Sequence, residues 1–391
     1  MSLTATRCID EAQRLAPVFE SQAAGSDAAR RMLPEAIDEL RASGLLGIVQ
    51  PEAFGGAAQP FDTLVDVIAE LAYGDASPAW VCANLFANSW LVSKFGQQAQ
   101  EDVWQDDPTA AICGTLAPTG KVEVVEGGYR LSGRWEFGSG CHASQWGLFG
   151  GIAPHPSTGE QPTRLIFVVP RTEWTIVDTW FASGLRATGS NDIEMSGVFV
   201  PQHRAEPFAL LNDGLGPGRD VAGAGLLPKL PLLVTWAYAV AAVPVGCSQR
   251  LVEDFAENCR AKLSQGAKAS AGQSGPQLRL AEASAEVDTA RLILRTDTRL
   301  LMEMVEAEHV PTVDERSRFR RNQTWAVTLA VRAADRCAAA MGSSILGDAS
   351  VPGRRFRDIH ASQAHHALVW DSPAENYGRV RLGLEPNAKI L

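Results

Sequence analysis

Three short runs in this chain bring together residue types capable of chemistry. Gly138-Ser139-Gly140 sets a hydroxyl between two glycines, as a nucleophilic serine would be set. A nucleophile turn needs the G-x-S-x-G frame between a strand and a helix, and Phe137 and Cys141 stand where its outer glycines would be. His360, His365 and His366 gather three imidazoles, but none of their spacings is that of HExxH and no carboxylate lies between them, so no metal site is predicted. Gly223-Ala224-Gly225 begins like a dinucleotide fingerprint, then runs into Leu226-Leu227-Pro228 with no βαβ unit around it; it reads as a flexible linker. The seven cysteines are dispersed, with no C-x-x-C pair, which excludes a disulfide framework and a structural zinc site.

Composition narrows the class further. The chain has 391 residues, 46% hydrophobic and 20% charged, enough for two or three units around a sizeable core. The formal charge of -10 argues against a nucleic-acid partner, which wants a cationic footprint. Residues 1–14 carry no apolar run after their charges, so no secretory signal is expected. The most apolar stretch, 226–247, is interrupted by Lys229, Pro231 and Pro244 and reads as a buried helix, not a membrane span. The expectation is a reduced, soluble, cytoplasmic protein.

The elements that must position the candidate residues follow from hydrophobic period. Residues 1–107 read as helical, with Leu33, Ile37, Leu40, Leu45 and Leu46 near helical spacing and Pro34 suited to a first turn. Between about 110 and 205 the period changes to 2. Val122 and Val124 alternate with charges, Glu126-Gly127-Gly128 supplies a turn, and Tyr129, Leu131, Gly133, Trp135 and Phe137 share one strand face. Further strands are predicted at 147–151, 165–169, 174–177 and 193–200, giving a small antiparallel unit. After a glycine-rich connection at 214–225, helical pattern returns. Leu280, Ala283, Val287, Ala290 and Leu294 form a core stripe, a second long helix covers 313–341, and a last one spans 359–382. The polar stretch 264–275 reads as a loop.

Four segments together resemble acyl-CoA dehydrogenase-fold proteins, and most of all their two-component flavin-dependent monooxygenase branch. They are 131–140 with Ala143 and Trp146; Pro51 to Gly56 with Asp75 to Trp80; Gly184 to Asp192; and Arg354 to Asp358 with His360, Ala361 and His365. They occur in the family's order and span nearly the whole chain. The resemblance implies a mainly α, α+β fold: an N-terminal helical domain (1–108), a central β-barrel-like domain (109–212) and a C-terminal four-helix bundle (213–391). It also implies a homotetramer with flavin at a subunit interface.

Within that fold a dehydrogenase needs a carboxylate base, usually in a Tyr-Glu-Gly-Thr loop. No Tyr-Glu-Gly occurs, and His365 and His366 stand where the family's glutamate would fall. A monooxygenase instead needs groups that hold a C4a-hydroperoxide, formed from reduced flavin and O2, away from water. The resemblance therefore implies Ser139 and His365 as the catalytic pair, with His365 also able to take a proton from a phenol or indole. Only one of His365 and His366 can face the flavin on a helix, and the resemblance selects His365. On pattern alone Ser139 also reads as satisfying backbone groups at a strand end, and His365 as a core imidazole.

The cofactor is expected to be FAD in its reduced form, with FMN possible, bound by Trp135, Phe137, Ser139, Ser190 and Asn191. Arg354 and Arg357 would clamp its pyrophosphate. Trp80, Asn84, Phe86, Trp90, Trp236, Tyr238 and Val240 would wall the substrate pocket. That aromatic lining implies a phenol, indole or polycyclic ring, more narrowly an indole; a carboxylated phenol would want a buried arginine, which the sequence does not identify. No nicotinamide-binding signature is present, so a separate NAD(P)H-dependent flavin reductase is expected. The competing expectations are a flavin dehydrogenase or an amine or amino-sugar N-oxygenase, and a bundle protein without flavin.

Overall fold

A computed structural model describes residues 3–264 and 274–387. The predicted loop at 264–275 lies almost wholly outside them. Five helices open the chain: α1 (Ala5–Ala29), α2 (Pro34–Ala42), α3 (Phe61–Gly74), α4 (Ala76–Val92) and α5 (Gln97–Trp104). Their starts are locally coded. Thr4 accepts the Arg7 N–H to begin α1, Pro34 sits in the first turn of α2, and Asp75 accepts the Ser77 N–H at 2.8 Å to begin α4. The Thr4 and Asp75 caps each satisfy a backbone donor that a helix start leaves open, a contribution of about 1 kcal/mol. Every residue of α4 is buried, so this helix has no solvent face and is enclosed by the rest of the molecule.

Seven strands follow: β1 (Ile112–Val125), β2 (Gly128–Gly138), β3 (Trp146–His155), β4 (Gly159–Pro170), β5 (Thr175–Val177), β6 (Asn191–Pro201) and β7 (Ala205–Pro207). Their order is β5-β6-β2-β1-β3-β4-β7. The Gly127 turn makes the expected β1–β2 hairpin. Two expectations are corrected. The unit is not wholly antiparallel, because β1 and β3 run parallel. Nor is it a closed barrel: β5 and β7 are the two edges, and no pairing joins them among the described residues. The cause is β1, whose first half pairs with β3 and whose second half pairs with β2, with a register shift between Thr115 and Gly120. One strand thus passes between two layers, which fold over a separate core of Tyr129, Leu131, Trp135, Phe149, Phe167 and Ile193.

The chain ends in helices α6 (Phe208–Asn212), α7 (Leu232–Ser264), α8 (Ser274–Glu306), α9 (Val313–Met341), α10 (Val351–Gln363) and α11 (Asp371–Arg381). Pro244, expected to interrupt the apolar stretch, lies inside α7 without ending it. Leu232–Ala261 is long and apolar enough to cross a membrane, but 83% of its apolar window is buried within the protein. The α8 stripe is buried at Ala283, Val287, Ala290 and Leu294. In α9, Thr312 and Glu315 form a reciprocal capping box. α7, α8 and α9 pack on one another, and α10 packs on α7 and α9. These helices share one continuous hydrophobic core with the N-terminal five.

The single helix expected over 359–382 is broken. α10 ends at Gln363 and α11 starts at Asp371. Pro373 explains the restart, since proline lacks the N–H that a helix interior needs and is tolerated only in the first turn. The seven-residue turn this creates carries His365.

Candidate active site

Three distant parts of the chain meet at Trp80. The indole, on α4, donates through Nε1 to Ser139 Oγ at 3.3 Å. Its ring stands edge-on to His365, with centroids 5.5 Å apart. Trp236, near the start of α7, flanks the same imidazole at 5.6 Å. Ser139 comes from the turn after β2, and His365 from the turn after α10. The residues expected to act as a pair are therefore brought together, with Trp80 as the bridge.

Ser139 is buried and belongs to a row of hydroxyls. Its Oγ lies 2.7 Å from Ser190 Oγ, which lies 2.7 Å from Thr188 Oγ1. Thr188 Oγ1 in turn donates to the Leu185 carbonyl at 2.8 Å. Leu185 has φ +51°, a left-handed conformation that costs a branched residue energy and so needs external support. α10 supplies that support: Asp358 Oδ1 accepts the Leu185 N–H at 2.6 Å. Gly184 is required beside it, because a β-carbon there would run into the Arg357 carbonyl. Burial, with Asp75 close by, raises the pKa of Asp358. Burial raises that of Asp75 too, against the opposing pull of Arg354.

His365 is partly buried among these aromatics. Burial, then the neighbouring His366 and Arg320, push its pKa down to about 3, so the ring is neutral at ordinary pH. The backbone N–H of Ala367 donates to Nδ1 at 3.2 Å, which leaves the proton on Nε2. Nε2 has no partner among the described residues. The imidazole accordingly offers a hydrogen-bond donor, a different part from the proton acceptor that the sequence suggested. His366 is exposed, its ring 4.3 Å from that of His365.

Trp135 and Phe137 do not share a face with each other. A register shift in β2 between Trp135 and Gly138, with φ +64° at Phe137, flips the strand. Trp135 faces the β core, donating to the Gly150 carbonyl at 2.9 Å, while Phe137 is 62% exposed and meets Trp180 edge-on. Strained backbone holding an aromatic ring in the open beside Ser139 fits a flat ligand and not core packing. Asn191 Oδ1 accepts the N–H groups of Thr179 and Trp180, both at 2.9 Å, and its amide nitrogen lies 2.9 Å from His142 Nε2; it fixes the segment that carries Trp180. Arg354 turns toward Asp75, 4.0 Å away. Arg357 is partly buried, with no ion pair among the described residues.

Of the proposed pocket walls, Trp80 and Trp236 touch His365. Asn84 donates to the Trp80 backbone carbonyl at 2.8 Å, one turn away on α4. Phe86, Trp90, Tyr238 and Val240 are wholly buried in the helical core. Trp90 donates to the Leu227 carbonyl, and Tyr238 to Asp297 at 2.8 Å. Sequence reasoning missed Thr188, Leu185, Asp358 and Arg320. Arg320 donates to Gln323 Oε1 at 2.6 Å and to the Ala367 carbonyl at 3.1 Å, and no carboxylate pairs with it among the described residues. In the run Arg318, Arg320, Arg321 it looked like one more charge on a solvated face; desolvation, which lowers its pKa to about 10, is what distinguishes it.

The cluster has open positions. Among the described residues the Trp236 N–H is buried without a partner, His365 Nε2 and one lone pair of Ser139 are free, and Phe137 is uncovered. A buried N–H left unpaired costs about 1–3 kcal/mol. A planar heteroaromatic with a polar edge would meet the remaining Ser139 lone pair and cover Phe137, so these residues fit a flavin. No group of three metal-ligating side chains occurs among the described residues.

This α, β, α order around a heteroaromatic site defines an acyl-CoA dehydrogenase-like protein. The family descriptions "Acyl-CoA dehydrogenase, N-terminal domain" and "Acyl-CoA dehydrogenase, C-terminal domain" match residues 11–107 and 238–370. The chain is 35% identical to the FADH(2)-dependent resorcinol hydroxylase, oxygenase component, of Rhizobium sp. (strain MTP-10005), over 98% of this chain and 96% of that one. It is 30% identical to the p-hydroxyphenylacetate 3-hydroxylase, oxygenase component, of Acinetobacter baumannii, over 98% and 90%. The crystal structure of the HsaA monooxygenase from M. tuberculosis superposes with a TM-score of 0.91 at 28% identity, covering 99% of this chain and all of that one. The chain belongs to the reduced-flavin-dependent oxygenase components of the acyl-CoA dehydrogenase fold. It is an oxidoreductase, the monooxygenase half of a two-component system whose reductase is a separate protein.

Proposed function

We propose that this protein hydroxylates a phenolic ring, using O2 and reduced FAD delivered by a separate NAD(P)H-dependent reductase. The observation that carries the reading is the Ser139–Trp80–His365 arrangement: a hydroxyl and a neutral imidazole on either side of one indole. When bound, reduced flavin supplies the electrons and the site of O2 activation. Ser139 holds the flavin edge, Phe137 and Trp236 exclude water from it, and His365 donates from Nε2 to an oxygen of the reacting pair. Arg320 adds positive charge beside His365 and so favours a phenolate over a neutral ring, which supports a phenol ahead of an indole. The activities named for the resorcinol and hydroxyphenylacetate relatives support the same choice.

FAD is preferred over FMN because the resorcinol relative is FADH2-dependent and Arg357 is free to meet a second phosphate. Arg354, engaged by Asp75, holds α10 in place instead. We read the three units as residues 1–108, 109–212 and 213–391, the last as a bundle assembling into a cytoplasmic tetramer. Apolar side chains left exposed on its helices, including Leu278, Leu292 and Leu382, are surface that such an assembly would cover.

The test supplies photoreduced FAD, without a reductase, to the protein in 18O2 with resorcinol, p-hydroxyphenylacetate or indole. Singly 18O-labelled catechol-type product is expected from a phenol. Complete conversion of O2 to H2O2 with every ring would overturn the reading.

A further inference from the structure

The hydroxyl row beneath the site has a direction, and its origin is a carbonyl. Leu185 O cannot donate, so the 2.8 Å contact with Thr188 Oγ1 must carry the threonine's single proton. Thr188 Oγ1 is then an acceptor toward Ser190, 2.7 Å away, and the Ser190 proton points at Thr188. Ser190 Oγ in turn becomes the acceptor for Ser139, also at 2.7 Å, and the Ser139 proton points at Ser190. The Trp80 N–H occupies one of the two Ser139 lone pairs. What remains to Ser139 is one lone pair and no proton.

We infer that this row makes Ser139 an obligate hydrogen-bond acceptor toward the cofactor, so that the site selects reduced flavin, whose N5 carries a hydrogen, over oxidised flavin, whose N5 carries a lone pair. The inference rests on the flavin reading above and adds to it the residues that impose the preference for the reduced state. The selection is set at the other end of this row of hydrogen bonds, away from the ligand. Leu185 offers its carbonyl to Thr188 from a left-handed conformation, which Asp358 of α10 sustains and to which the Trp180 indole also donates at 3.0 Å. Thr188 and Asp358 are therefore positioning residues acting through Ser190 and Ser139. An acceptor facing an acceptor loses the hydrogen bond and leaves two lone pairs opposed, so the two redox states should differ by about tenfold or more in affinity.

The experiment measures dissociation constants of oxidised FAD in air and of photoreduced FAD under anaerobic conditions, by quenching of tryptophan fluorescence. The proteins are the intact wild type and the variants Thr188→Val, Thr188→Ser and Ser190→Ala. The wild type should favour reduced FAD by about tenfold or more. Thr188→Val frees the Ser190 proton, and Ser190→Ala frees that of Ser139. Both should reduce the ratio toward one, chiefly by tightening oxidised FAD, and Thr188→Ser should restore it. The Ser190→Ala arm keeps the test decisive if Thr188→Val does not fold. A ratio unchanged in folded Ser190→Ala would overturn the assignment while leaving the flavin reading intact. Wild-type protein that bound neither form would overturn both.

Discussion

Tyr238 and Trp236 stand two residues apart on α7 and end in opposite conditions. The Tyr238 hydroxyl is wholly buried and fully used: it lies 2.8 Å from Asp297 Oδ2, and Asn322 donates to the same carboxylate oxygen at 2.8 Å. The Trp236 N–H is just as enclosed and has nothing to donate to among the described residues. A helix two residues along has turned by about 200°, so one side chain enters the bundle and the other faces the Ser139–Trp80–His365 cluster, the cleft side. On the bundle side the Tyr238, Asp297 and Asn322 side chains satisfy one another. The cleft side leaves a donor at Trp236, a donor at His365 and an acceptor at Ser139 for something else to meet. Hydrogen-bond satisfaction thus separates these two side chains, whereas aromatic character does not.

Substitutions on the two sides should separate accordingly. The largest effect is expected from His365→Ala, which removes the cleft's Nε2 donor: product per O2 should fall about 10²-fold, with the balance appearing as H2O2 and little change in Tm. Similar coupling in the variant would remove the imidazole from the chemistry. Tyr238→Phe should do the reverse. Asp297 loses a donor while staying buried, costing about 1–3 kcal/mol in a denaturant titration, and the product-to-O2 ratio should not move. A change in coupling there would break the division between bundle and cleft.

Acid should sharpen it. An unfolded His365 takes up a proton near pH 6.5, whereas the native one does so only at about 3. Between those values the unfolded state binds the extra proton, so this contribution to stability is full above pH 6.5 and is lost as pH falls toward 3. His365→Gln should flatten that limb of a Tm-against-pH profile, and an identical limb would show that other groups set it. The smallest effect is expected from Trp236→Phe. It removes the penalty of the unpaired N–H but also part of the ring that packs on His365, and the two oppose, so stability should shift by less than about 1 kcal/mol. A loss as large as that of Tyr238→Phe would mean that the indole is satisfied after all.

The residues themselves determined a good deal. The change of period near residue 110 and its reversal after 213 located the strands, because strand and helix faces repeat at different intervals whatever surrounds them. The absent glutamate base and the presence of His365 and Ser139 were matters of residue identity, and identity survives folding. Tertiary structure decided the rest. The side of the sheet on which Phe137 emerges depends on a backbone torsion of +64°, which the strand alternation could not reveal. Trp236 and Tyr238 looked alike as aromatics on one helix until their neighbours were known. The polarity of Ser139 is set by a carbonyl at Leu185 and a carboxylate at Asp358, 173 residues apart in sequence. A hydroxyl can donate or accept equally well, so only the contacts around it fix which it does.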